Sequence, residues 1–239
     1  MNAIFLFRIR MYKKFAMTSN GSVIATNACF CVHIRLLLSV FLPYNVSRLL
    51  LSMLIGVTGQ MGTGKTAVAR LLARRTGFAT ANADRICHRL LKTKAKQRVF
   101  NAFGTTSRTA LGRIVFAEPR KLAQLNAILH PLVASEIRAL KRRHSNLIID
   151  APLLVEAATI RVDALVIVTC TRREQLARLT QRGYGRAETL KRLRHQWSTA
   201  KKRRRGKTIA RHVFVVKNTA RTQLTGDVER VIRTLGVTT

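Results

Sequence analysis

The sequence predicts an α/β fold of three layers, a five-stranded parallel sheet covered by helices on both faces, and three observations carry that reading. Short apolar runs near residues 54–58, 79–83, 147–149, 165–168 and 213–216 alternate with stretches whose apolar residues recur at helical spacing, the order expected of a parallel sheet. The first run is continuously apolar, as a strand buried on both faces is. It leads directly into a glycine-rich loop and then a helical stretch.

Residues 53–58 form the first strand, and Gly59-Gln60-Met61-Gly62-Thr63-Gly64-Lys65-Thr66 follows at once. The octapeptide fits G-x-x-x-x-G-K-[ST] at every fixed position. Strand, loop and helix in this order aim backbone N–H groups and the positive end of a helix dipole at a phosphate chain. All eight residues are therefore assigned to nucleotide binding, within a P-loop NTPase or kinase fold. Lys65 is expected to reach the β- and γ-phosphates, and Thr66 to offer its hydroxyl to Mg²⁺. Such a loop by itself serves a GTPase, an ATPase motor or a small-molecule kinase equally well.

The second strand ends in Asn82-Ala83-Asp84, and a helical stretch begins beyond it. The third ends in Asp150-Ala151-Pro152. Ligands of open parallel sheets bind beyond the carboxyl ends of the strands, so the phosphate loop, Asp84 and Asp150 fall into one site. The chain has four aspartates, Asp84, Asp150, Asp163 and Asp227, and two of them stand at these places. Asp84 reads as a catalytic carboxylate or as a helix N-cap, roles that are compatible. Asp150 reads as a Mg²⁺ or metal-water ligand or as a turn residue. His130 precedes Pro131 and reads as the end of a helix that proline stops.

Further stretches sharpen the reading. Ala81-Asn82-Ala83-Asp84-Arg85-Ile86-Cys87-His88-Arg89-Leu90 resembles the D-A-D-x-[IL]-x-H-x-L run of the dephospho-CoA kinase family. Arg108 with Leu111, Phe116, Leu125-Asn126-Ala127-Ile128-Leu129-His130-Pro131, Pro152-Leu153-Leu154-Val155-Glu156, and Gln175-Leu176 with Arg178, Leu179 and Arg182 are similar to its other signatures, in its order. Gln196 and Asn218 have counterparts too. The resemblance spans about residues 53–235. It implies transfer of the ATP γ-phosphoryl group to the 3′-hydroxyl of dephospho-CoA, the last step of coenzyme A biosynthesis, with Mg²⁺. It also implies a helical acceptor subdomain over about residues 85–144 and a lid over 182–207. Arg182 is assigned to the chemistry by its position, since cations that close over a transferring phosphoryl group neutralise spreading charge. Glu156 either positions substrate or is an exposed glutamate at a helix start.

Three departures stand out: Asn82 where the family often has aspartate, a short stretch between Gly104 and Arg108, and Ala210-Arg211 where Ala-Asp is common. The lid carries eleven Lys and Arg with Glu188 as its one acid, and Lys201-Lys202-Arg203-Arg204-Arg205 suits a flexible solvated loop. Two other readings of the chain are a P-loop kinase acting on a nucleoside or another metabolite, and a basic RNA-binding relic without turnover. Retention of Lys65 and Asp84 argues against the relic.

With 239 residues, 47% of them hydrophobic, the chain is long enough to bury a core. Its 44 Lys and Arg against 10 Asp and Glu give a net charge of +34, which attracts any polyanion. The basic residues run through the whole chain, however, and aromatics make up 6%, so no stacking platform for single strands emerges. No specific nucleic-acid partner is expected. Cys29, Cys31, Cys87 and Cys170 lack the paired CxxC spacing of a zinc site, and a reduced, cytoplasmic setting follows. Within residues 1–52 the most apolar stretch, Leu36 to Leu42, is seven residues long, far short of the ~20 that span a bilayer.

Residues 1–52 hold no acid and the cations Arg8, Arg10, Lys13, Lys14, Arg35 and Arg48. They fit upstream sequence included by an early start codon, an import presequence, or an ordered extra element. Met53, directly before the first strand, favours the first, and residues 53–239 are read as the kinase-like domain. A chain beginning at Met53 is therefore expected to be soluble and active; loss of folding in that chain would assign the extension a structural role. Affinity for RNA is expected to be weak and to fall steeply with salt, as counterion release requires, and a titration finding one tightly bound sequence at physiological salt would contradict this.

Overall fold

The structure, a computed structural model, describes residues 52–194 and 196–237. The extension before Ser52, with the readings offered for it, lies outside them, as do Cys29 and Cys31. Strands β1 (Met53–Thr58), β2 (Ala79–Asn82), β3 (Asn146–Asp150), β4 (Val162–Thr169) and β5 (Ala210–Lys217) form one sheet in the order β2-β3-β1-β4-β5. Every neighbouring pair is parallel. The expected five-stranded α/β architecture is thus present, with β1 at its centre: Ile55 lies opposite Ile148 on one side and Ala164 on the other.

Ten helices accompany the sheet among the described residues: α1 (Lys65–Thr76), α2 (Ala83–Lys92), α3 (Lys96–Phe103), α4 (Arg108–Ala117), α5 (Pro119–Arg143), α6 (Leu154–Ala157), α7 (Arg172–Gln181), α8 (Arg186–Arg194), α9 (Thr199–Gly206) and α10 (Arg221–Leu235). The pleat sends successive side chains to opposite faces, so each strand feeds two cores. Leu54, Leu147, Ile149, Leu165 and Ile167 pack with Ile86, Leu90, Val133 and Ile137 from α2 and α5. Ile55, Val57, Ile148, Val166 and Val168 pack with Val68 and Leu72 of α1 and with Val228 and Val231 of α10. Burial on both faces is why these strands read as unbroken apolar runs.

Three features differ from the sequence expectation. Strands β4 and β5 are longer at both ends than their apolar centres, because backbone pairing continues from Val162 opposite Ala210 to Thr169 opposite Lys217 whatever side chains those residues carry. Helix α5 runs through Pro131 rather than stopping at His130. Proline there removes one backbone donor, but Leu129, Val133, Ala134 and Ile137 on either side of it are buried and hold the helix to the core. The third difference is the basic run. Lys201–Arg205 is not a loop but most of α9, whose N-cap Ser198 accepts from the Lys201 N–H, and Lys202 within it is buried.

Candidate active site

The carboxyl ends of β1, β2 and β3 lie side by side, and each carries part of the site. The loop Gly59–Gly64 leaves β1 and feeds Lys65 and Thr66 into the first turn of α1. Gly62 and Gly64 have φ of 79° and 87°, the left-handed region that glycine enters without a Cβ penalty. A Cβ on Gly64 would also run into the Asn218 side chain, and one on Gly62 would come within 3.0 Å of the Gln175 carbonyl oxygen.

Side chains from distant segments fix the loop. Gln175 Nε2 donates to the Met61 carbonyl at 2.8 Å, and Gln196 Oε1 accepts from the Met61 N–H at 2.8 Å. Asn218 Nδ2 donates to the Thr63 carbonyl at 2.8 Å, while Arg178 reaches both that carbonyl and the Asn218 carbonyl, at 3.4 and 2.9 Å. Within the loop, Thr63 Oγ1 and Lys65 Nζ both donate to the Gln60 carbonyl, at 2.9 and 3.0 Å.

Asp150, buried at the end of β3, ties the parts together. Its Oδ2 accepts from Thr66 Oγ1 at 2.6 Å and from Asn82 Nδ2 at 3.0 Å. Its Oδ1 is buried with no protein donor, an arrangement that suits a cation. Among the described residues no group of three or more His, Cys, Asp or Glu side chains forms a metal cage. Mg²⁺ needs none, since it is held by one or two protein oxygens together with substrate phosphates and water. Thr66 and Asp150 fit it in that manner.

Asn82 also settles the capping question. Its Oδ1 accepts from the Arg85 N–H at 2.9 Å, which makes Asn82, not Asp84, the N-cap of α2. Asp84 in the first turn is thereby left free for other work. It keeps solvent access on the cleft side, yet the protein around it and, secondarily, the Asp150 carboxylate push its pKa above the ordinary value, against the pull of Lys65 and Arg108. Burial holds the Lys65 ammonium below its usual pKa; Asp150 and Asp84 oppose that, and the positive charges of Lys202 and Arg182 reinforce it. Arg182, exposed just past α7, is therefore near enough to act on Lys65. Lys65, Thr66, Asp84 and Asp150 thus meet beyond the ends of β1, β2 and β3.

An apolar pocket opens beside Asp84, walled by Cys87 from α2, His130 and Val133 from α5, and Ala151, Pro152 and Leu154 after β3. His130 is thus a pocket residue in mid-helix, and burial lowers its imidazole pKa. Burial likewise raises the Cys87 thiol to about 11, which keeps it protonated and unreactive. Glu156 is neither exposed nor at the cleft: its Oε1 accepts from Lys202 Nζ at 2.5 Å, with side-chain exposures of 15% and 1%. Lys202 was hidden from sequence reasoning among four other basic residues. The signal that could have found it is the lone acid of Pro152-Leu153-Leu154-Val155-Glu156, which needs a partner if buried.

Comparison with known proteins agrees with this geometry. A sequence profile described as dephospho-CoA kinase matches residues 53–223. The chain belongs to the dephospho-CoA kinase family. It is 40% identical over 174 residues to dephospho-CoA kinase of Geobacter metallireducens, covering 66% of this chain and 86% of that protein. Identity to the Carboxydothermus hydrogenoformans dephospho-CoA kinase is also 40%, over 60% of this chain and 77% of the relative. Among solved structures, TT1252 from Thermus thermophilus superposes with a TM-score of 0.63 at 29% identity, covering 77% of this chain and 95% of that one. Membership in the dephospho-CoA kinase family makes the chain an ATP-dependent kinase of the last step of coenzyme A biosynthesis.

Lys65→Ala is expected to lose nearly all phosphoryl transfer while the melting temperature stays close to that of the parent, because side chains other than Lys65 hold the loop. Turnover assays beside a thermal melt check this, and substantial residual turnover would remove Lys65 from the chemistry.

Proposed function

We propose that this chain phosphorylates the ribose 3′-hydroxyl of dephospho-CoA at the Asp84 carboxylate, with ATP held by residues 59–66. The observation that carries the reading is the placement of Asp84 between the phosphate loop and the apolar pocket. It is not used as a helix cap, its proton affinity is raised, and Lys65 is near enough to act on it. A carboxylate so placed accepts the proton of an incoming hydroxyl as the oxygen attacks phosphorus. The pocket walled by Cys87, His130 and Val133 takes an apolar or aromatic part of the acceptor and holds the hydroxyl near Asp84.

Little covalent work falls to the protein in phosphoryl transfer, so positioning and charge neutralisation dominate. Backbone N–H groups of the loop, other than those of Met61 and Thr63, which Gln196 and the Gln60 carbonyl take, cradle the phosphates. Lys65 places its ammonium against the β- and γ-phosphates, and Arg182 adds positive charge from the lid side. Thr66 and the free Oδ1 of Asp150 would hold Mg²⁺, whose chemistry there is to neutralise charge on the transferring group. Among the described residues no helix is long and apolar enough to cross a membrane, which suits a cytoplasmic enzyme of a soluble metabolite. The basic excess runs through the whole chain, and no specific nucleic-acid partner is proposed for it.

Asp84→Asn tests the assignment. Because the folded-state pKa of Asp84 is raised, its contribution to stability is present at low pH and lost as pH climbs through that value. Asparagine should therefore leave the melting temperature at neutral pH unchanged or slightly higher, the capping loss of about 1 kcal/mol belonging to Asn82→Ala. The kcat should fall by roughly 10²- to 10⁴-fold with little change in the KM for ATP. In the parent enzyme, kcat/KM should decline on the acid side at a pH above the ordinary aspartate range, as the base is protonated, and this limb should vanish from the residual activity of Asp84→Asn. Full activity in that variant would exclude Asp84 as the base.

A further inference from the structure

Among the described residues one cation, a lysine, is buried in the fold. Lys202, from the basic helix α9, has a side chain only 1% exposed. Placing an ammonium there is costly unless it is paired and hydrogen-bonded. Its Nζ donates to Glu156 Oε1 at 2.5 Å and to the Pro152 carbonyl at 2.9 Å. That same carbonyl accepts from Thr58 Oγ1 at 2.9 Å, and Thr58 is the last residue of β1, directly ahead of Gly59.

Each of these partners lies one or two steps from a reacting group. Pro152 is two residues after Asp150, and the Ala151 N–H donates to the Val57 carbonyl at 3.0 Å. The segment from Asp150 to Leu154 thus presents the free Asp150 oxygen at one end and forms a wall of the acceptor pocket along the rest. Glu156 lies in the short helix α6 that closes the segment. Its second oxygen, Oε2, is buried without a partner, so among the described side chains Lys202 supplies its carboxylate with a donor.

We propose that Lys202, paired with Glu156, is a positioning residue for phosphoryl transfer: from the lid it fixes the segment 150–154, and so sets Asp150 and the acceptor wall against the phosphate loop. The inference rests on the kinase reading and concerns a residue whose ammonium is bonded to protein groups, Glu156 and the Pro152 carbonyl. Lys202 and Gln196, which holds the Met61 N–H, lie six positions apart in the chain. One stretch of lid therefore braces both halves of the site, Gln196 the nucleotide side and Lys202 the acceptor side. Burial lowers the pKa of Lys202 while Glu156 raises it, in keeping with an ammonium whose retention depends on its pairing.

The test compares Glu156→Ala, Glu156→Gln and the double variant Lys202→Met with Glu156→Leu. Replacing both members of a buried pair by apolar groups of similar volume is often tolerated, so the double variant removes the link to Pro152 without leaving a buried charge. The concentration of folded sites is counted by binding a non-hydrolysable ATP analogue. Per folded site, the double variant and Glu156→Ala should lose about 10- to 100-fold in kcat/KM for dephospho-CoA, the range seen when a supporting partner is removed. The Kd for the analogue should change less than about 3-fold. Glu156→Gln, which keeps an acceptor for Lys202, should recover most of the loss. Wild-type kcat/KM per folded site in Glu156→Ala would overturn the proposal, and so would equal losses in Glu156→Ala and Glu156→Gln. If the double variant does not fold, the two Glu156 variants decide. Absence of dephospho-CoA phosphorylation in the parent protein would instead defeat the kinase reading itself.

Discussion

The carboxylate of Asp150 takes hydrogen bonds from Thr66 and Asn82 through one oxygen, and much of the site's geometry depends on that oxygen. Thr66 belongs to the helix that follows the phosphate loop, Asn82 caps the helix that carries Asp84, and Asp150 itself ends β3. Parallel register alone brings three strand ends to the same level, but it leaves the loops beyond them free to splay. A buried carboxylate with two donors on one oxygen removes that freedom, because each donor left behind would be desolvated and unpaired. The other oxygen remains available for chemistry. Under the proposed function, structural and catalytic demands on one residue would be separated by giving each its own atom.

Asn82 shows how a departure from a family pattern can be read physically. An aspartate there would set a second carboxylate beside Asp150 Oδ2, and like charges at such distances raise one another's proton affinity. Asparagine instead donates to Asp150 with its amide nitrogen and caps α2 with its amide oxygen. Asp84 is left as the carboxylate facing Lys65, with Arg108 on the acceptor side.

Most of the architecture was legible because each strand is apolar on both faces and each turn carries its own chemistry. The phosphate loop and the two aspartates after strands were found for the same reason: their residue types are dictated by backbone geometry and charge within a few positions. The other two aspartates are structural. Asp163 accepts from the Leu54 N–H at 2.7 Å and Asp227 from the Lys217 N–H at 2.9 Å, bonds to strand backbone. Pairing across long sequence distances was not legible. The bond from Lys202 to Glu156 links residues 46 apart, and local composition around Lys202 points to solvent. Pro131 misled for a related reason, since its local cost is outweighed by tertiary burial on either side.

The bonds from Gln175, Gln196, Arg178 and Asn218 to the phosphate loop have a consequence for how the protein is made. Glycines at 59, 62 and 64 confer no shape of their own, and the side chains that impose it come from as far as 155 residues downstream. During synthesis the loop leaves the ribosome early, in a chain that has the motif but not yet the cradle. The last of these braces, Asn218, emerges only after the final strand. A truncated product ending before that point would carry a complete phosphate-binding signature without the Asn218 bond that helps to fix it.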